Sequence, residues 1–167
     1  MMRGHVIPDD YERAEPTPDD LCMVGRVVLE AADLEYSLAT LLAHLRTDGD
    51  EPSLVEEFSN AVGADLLAGL RKASRGGPHE KEVEGLCLAA RELFHVRHTF
   101  AHGVLIVLRP SRQRAMLRIV RPRDRVMVED QSGLVVRIDE ATVSEIVFRI
   151  RDIGGMAADV LASMGRL

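Results

Sequence analysis

Apolar residues recur at intervals of three and four over four stretches of the chain, and each stretch predicts an amphipathic helix. In residues 21–45 the stripe is Leu21, Val24, Val28, Ala31, Leu34, Leu38, Leu41, Leu42 and Leu45. Thr17-Pro18-Asp19-Asp20 precedes it with a capping hydroxyl, a proline at the first helical position and two acids in the first turn, so the helix should start there. A second helical region is predicted over 53–74, carried by Leu54, Val55, Phe58, Val62, Leu66, Leu67 and Leu70, weakened by Gly63 and Gly69 and ended by Arg75-Gly76-Gly77-Pro78. A third, over 79–102, has the stripe Leu86, Ala89, Leu93, Val96 and Phe100. The last, over 140–164, follows Asp139 as its cap, with Val143, Ile146, Val147, Ile150, Ile153, Met156, Ala157, Val160 and Leu161 inward and Gly154-Gly155 as a place to bend.

Between the third and last helices the pattern changes to short apolar runs separated by turn-prone residues, at 104–108, 116–120, 126–128 and 134–138. They predict a small antiparallel β insert at about 104–138. Residues 1–16 have no apolar period and carry Asp9, Asp10, Glu12 and Glu15 with two prolines, which predicts an acidic, flexible lead-in. The expectation is therefore a mainly α chain with one domain over 17–167, with no repeat inside it.

At 167 residues, with 46% hydrophobic and 29% charged residues, the chain can bury a sizeable core. No apolar run follows basic residues in the first twenty, and no stretch approaches the ~18 apolar residues of a membrane span, so a cytoplasmic location is expected. Cys22 and Cys87 are far apart and lack a Cys-x-x-Cys spacing, which argues for reduced core thiols rather than a zinc site or disulfide framework. A net charge of -6 argues against bulk coating of nucleic acid and leaves room for a local basic surface.

The candidate chemistry lies where the third helix should stop, in Arg97-His98-Thr99-Phe100-Ala101-His102 followed by Gly103. Arg is a permanent cation with a fork suited to phosphate, and the unperturbed pKa of His lies nearest neutrality. On a helical wheel of roughly 100° per residue, Arg91, His95, His98 and His102 fall within about 60° of one another, opposite the apolar stripe. Arg97 stands roughly 140° from His102 on the same wheel, so the two form no simple one-face pair. Arg97 can reach round, meet a bent helix end, or complete a site with another protomer. A bland account also exists: a cationic His in a last turn favours the helix dipole, Gly103 is an ordinary C-cap, and His98 can be a solvated surface residue. Three imidazoles at these spacings also suit a transition metal, but no Cys or acidic ligand lies nearby in sequence to complete the geometry.

An arginine, a polar residue, three more residues and then a histidine at a helix end resembles the signature of the HEPN superfamily, matched here by Arg97, His98 and His102. The order of three helices, a strand insert and a fourth helix over residues 20–165 looks like a HEPN four-helix bundle with a β excursion. The resemblance implies a metal-independent endoribonuclease without cofactors, whose Arg and His meet in a cleft between two protomers, so a homodimer. His98 would support His102; separately, His95 and Arg91, on the same polar face of the wheel, are candidates for contacting substrate. A toxin of a toxin-antitoxin pair, with a protein antitoxin or regulator as partner, an antiphage defence nuclease and an RNA-processing factor all fit. Some HEPN toxins carry a Tyr just after the motif His that an antitoxin modifies; here Gly103-Val104 follow His102 instead.

From Arg109 to Arg125 there are seven arginines against one acid, Asp124. Arg109, Arg112 and Arg114 are the candidates for gathering an RNA backbone beside the helix end; the plain alternative is a solvated loop. Two Tyr, four Phe and no Trp leave few platforms for base stacking. Gly-x-Ser-x-Gly, Gly-x-x-x-x-Gly-Lys and His-Glu-x-x-His do not occur, which weakens hydrolase and nucleoside-triphosphatase readings. Glu30 and Glu35 could approach the third-helix histidines in a bundle, though an exposed helix face accounts for them equally. The competing functional class is a noncatalytic RNA- or protein-binding regulatory module, in which Arg97 and His102 hold structure together.

Overall fold

A computed structural model describes residues 11–47, 63–119 and 133–165 of the chain. Among these residues the protein is mainly helical, with four helices and one antiparallel four-stranded sheet. The helices are α1 (Pro18–Thr47), α2 (Ala64–Ser74), α3 (Glu80–His102) and α4 (Glu140–Ser163). The strands are β1 (Tyr11–Arg13), β2 (Val104–Leu108), β3 (Gln113–Ile119) and β4 (Gly133–Arg137), in the spatial order β1-β2-β3-β4. The strand expected at 126–128 and the start of the second expected helix, 53–62, lie outside the described residues.

The described residues of Met1–Val28 and His95–Ile146 make one compact unit, and those of Leu29–Phe94 and Val147–Leu167 another. In the second unit, Ala31, Leu34, Leu38, Leu41 and Leu42 of α1 are buried, as are Leu66, Leu67 and Leu70 of α2 and Leu86 and Leu93 of α3. Gly69 permits a close approach of α2 to α1, since a Cβ there would lie 3.0 Å from a Leu42 methyl. Cys87 is buried, its Sγ 3.7 Å from the Leu67 carbonyl, and burial pushes its thiol pKa up to about 11, so it is inert at neutral pH. Cys22 is exposed, which corrects its expected place in the core. Leu21 and Met156 are likewise exposed members of their predicted stripes, and Val27 takes the inward position near the start of α1. α4 runs on through Gly154-Gly155. Glu30 is occupied by an ion pair with Arg151 of α4.

The first unit holds the sheet. Ile106, Ala115, Leu117 and Val135 form the buried cluster on one face, and Val107, Met116, Leu134 and Val136 are buried on the other. Two-sided burial explains why these strands read as continuous apolar runs rather than as alternating ones. β1 was not expected. Its three residues pair with β2, Glu12 opposite Val107, so the sheet extends beyond the β insert and draws in part of the acidic lead-in. Each helix start in this unit is capped as its residues predict. Thr17 and Asp20 form a reciprocal capping box: the Asp20 amide donates to Thr17 Oγ1 at 3.2 Å, and the Thr17 amide donates to Asp20 Oδ2 at 2.7 Å. Asp139 Oδ1 accepts the Thr142 amide at 2.8 Å.

Candidate functional site at the end of the third helix

The last two turns of α3 are placed by what they bury. Val96, Thr99 and Phe100 are each no more than 2% exposed, so the remaining positions of these turns face outward. The Thr99 hydroxyl donates to the His95 carbonyl at 2.9 Å, satisfying its own burial within the helix. Gly103 then closes the helix, its amide 2.8 Å from the Thr99 carbonyl. A Cβ at Gly103 would stand 2.4 Å from that carbonyl oxygen and 3.0 Å from the Leu117 carbonyl of β3. Only glycine lets the helix end approach β3 this closely.

That approach brings β3 into the site. Val104 pairs with Leu117, so Arg118 is the next residue of β3 beside the helix end. Its Nη2 lies 3.4 Å from Nδ1 of His95, and its Nε is buried. His98 and His102, one turn apart, have ring centroids 4.5 Å apart at 58°. Arg97 is half-buried with a buried Nε, whereas His98 and His102 are exposed. His95, Arg97, His98, His102 and Arg118 all belong to the first unit.

His98 stands among four other cationic or protonatable groups at one helix end. The pKa of His98 is held below its ordinary 6.5, first by the partial covering of its ring and then by the charges of Arg118, His102, Arg97 and His95. His98 is therefore mainly neutral at pH 7, in the form that accepts a proton. Among the described residues no group of three or more His, Cys, Asp or Glu side chains is arranged to hold a metal ion, so the three imidazoles do not converge as ligands.

The structure sets the hairpin arginines apart from this cluster. Arg109 and Arg112 lie beyond the far end of β2, whose five residues span about 16 Å at ~3.3 Å each. Both pair with Glu12 of β1, Arg112 at 3.1 Å, and Arg109 and Arg112 together hold the Glu12 carboxyl below its usual range. Arg114 makes a two-pronged bond to Asp20, Nε to Oδ1 at 2.9 Å and Nη2 to Oδ2 at 2.6 Å, and also donates to the Glu15 carbonyl at 2.6 Å. Asp20 is 2% exposed. Burial pushes its pKa up, but the bonds from Arg114 and Thr17 outweigh this and hold the carboxyl below 3.8. Arg114 is thus a structural tie between β3 and the start of α1. Arg91 lies in the other unit, one turn before His95 along α3. Arg121, Arg123 and Arg125 lie outside the described residues.

Arg118 is the site residue that sequence reasoning passed over, as one of seven arginines with nothing to single it out. The signal for it is Gly103: a glycine between a helix and a strand fixes where the hairpin folds back, and the residue after the partner of Val104 then faces the helix end. No family model, no curated protein and no solved structure matches this chain.

Proposed function

We propose that the protein is a HEPN-like endoribonuclease that cuts without a metal, through Arg97 and His102 with His98 in support. The observation that carries this reading is the cationic cluster of Arg97, His98, His102 and Arg118 at the end of α3, which suits a phosphodiester anion and contains one imidazole kept neutral beside others. In the reaction a ribose 2'-hydroxyl loses its proton to a neutral imidazole and attacks the adjacent phosphorus. The O2'–P bond forms, the P–O5' bond breaks, and a protonated imidazole delivers a proton to O5'. The products are a 2',3'-cyclic phosphate and a 5'-hydroxyl, with Arg97 stabilising charge on the nonbridging oxygens.

In-line displacement needs the base and the acid on opposite sides of phosphorus. Rings 4.5 Å apart leave no room for a phosphoryl group between them; on this reading the second imidazole comes from another copy of the chain, whose presence light scattering of the purified protein would test. Wild type, Arg97→Ala and His102→Ala, each verified as folded, would be incubated with cellular RNA in chelator. Cleavage by wild type and a loss of about 10²–10⁴-fold in both variants is expected; an all-DNA analogue cut at the same rate would reject the mechanism.

A noncatalytic RNA- or protein-binding regulatory module is the second reading, favoured by the burial of Arg97 Nε and by the ion pairs that occupy Arg109, Arg112 and Arg114. Retained RNA binding with no cleavage by the folded wild type would select it.

A further inference from the structure

We propose that Arg118 is a positioning residue of the helix-end site: it bonds Nδ1 of His95 and so sets the ring proton on Nε2, where His95 serves as a hydrogen-bond donor to a phosphate oxygen rather than as a proton-transfer group. This rests on the ribonuclease reading for its consequence, but not for its geometry. A guanidinium has five N–H donors and no acceptor. Any ring nitrogen it bonds must therefore carry a lone pair. With Arg118 Nη2 at 3.4 Å from His95 Nδ1, that nitrogen is the acceptor, and the single ring proton of a neutral imidazole belongs on Nε2.

Three features make the arrangement part of the fold rather than a chance surface contact. The absence of a side chain at Gly103 brings the backbone of β3 against the helix end. Arg118 pairs across the sheet with Leu134, which is 9% exposed, and its own Nε is buried, so its stem is held by the sheet. The backbone that carries His95 lies in the last turns of α3, closed by Gly103, whose amide is 2.8 Å from the Thr99 carbonyl. A rigid strand and a capped helix end thus set both partners. A lysine at 118 would keep the charge, but not the planar fork that fixes direction.

The division of labour follows from donor and acceptor chemistry. An imidazole whose Nδ1 lone pair is engaged by a cation resists a second proton and cannot act as the general acid. His95 then contributes an N–H to the phosphate, and its loss should lower turnover without abolishing it. Arg118 and His95 act in series, so their substitutions should not add.

The test is ¹⁵N NMR of the imidazoles in the folded full-length protein at pH 7, with His95→Gln to assign the signals and with cleavage of a short RNA measured in parallel. The wild type should show His95 as the Nε2–H tautomer, Arg118→Met should lose that preference, and Arg118→Lys should keep part of it. Arg118→Met and His95→Gln should each lower kcat about 10-fold, with the double variant no worse. A doubly protonated or Nδ1–H His95 in the wild type overturns the inference whatever the variants do, so a variant that fails to fold does not shield it. So does an Arg118→Met protein with an unchanged His95 spectrum, even if its activity falls. If the wild type cuts no RNA but shows the Nε2–H tautomer that Arg118→Met abolishes, the ribonuclease reading falls and the positioning pair stands.

Discussion

At the scale of single residues, the charge state of His98 is set first by the partial covering of its ring and then by its cationic neighbours. Its folded pKa lies below 6.5 while its unfolded value is ordinary, so the unfolded chain binds more protons between those two points. Stability therefore rises with pH through that window and is lost as pH falls through the folded pKa. The His98 C2–H resonance should titrate below 6.5, and wild type should lose more stability than His98→Asn between pH 7.5 and 5.5 in urea melts. An equal loss in both would show that His98 carries none of the acid sensitivity. Asp20 makes the complementary case with opposite charge. Its carboxyl is buried, capped by Thr17 and gripped by Arg114, and Asp20→Asn leaves a guanidinium facing a neutral amide. A loss of about 2–4 kcal/mol is expected from broken buried ion pairs, read as a lower urea midpoint at pH 7. The wild-type contribution disappears only in strong acid, as pH falls through the depressed pKa.

Among the secondary-structure elements, the junction of α3 and β2 decides whether the site exists. Gly103→Ala would drive a methyl group into two backbone carbonyls, neither of which can rotate away. We expect a loss of about 2–3 kcal/mol, the upper part of the range for overpacking, together with changed chemical shifts at His95 and Arg118. A variant as stable as wild type with an unaltered spectrum would mean the helix end does not depend on close approach. The four helices were legible because their signals are local: i, i+3 and i+4 stripes, the Thr17-Pro18-Asp19-Asp20 start and the Asp139 cap need no knowledge of distant residues. So were β2 and β4, as apolar runs bounded by turns. β1 was not, because Tyr11-Glu12-Arg13 carries no apolar period and acquires its meaning only from a strand more than ninety residues later. The same holds in the site. His95, His98 and His102 share a face by helical arithmetic alone, whereas Arg118 joins them through strand register, and Arg114 leaves the candidate list through a carboxylate at a sequence separation of 94.

For the molecule as a whole, a net charge of -6 and the internal pairing of the described hairpin arginines leave a small cationic surface rather than a broad one. RNA affinity should therefore respond to salt through few contacts. Arg97→Met should reduce the slope of log K against log salt by about 0.7, the contribution of one phosphate contact on a single strand, and Arg109→Gln or Arg112→Gln should leave it unchanged. Equal effects from all three variants would mean the hairpin itself tracks the RNA backbone. No helix of the described residues is long and apolar enough to cross a membrane.

Glu12 and Asp20 act together as a built-in counterion. They occupy Arg109, Arg112 and Arg114 as a bound polyanion otherwise would, and the strand that carries Glu12 also covers one edge of the sheet. A chain trimmed to begin at Thr17 would shed Glu12 and β1 at a stroke. It would expose the edge of β2 to pairing with foreign strands and free two arginines for indiscriminate attachment to nucleic acid. The acidic lead-in thus does part of a ligand's work from within: one of its carboxylates is already seated on arginines of the hairpin.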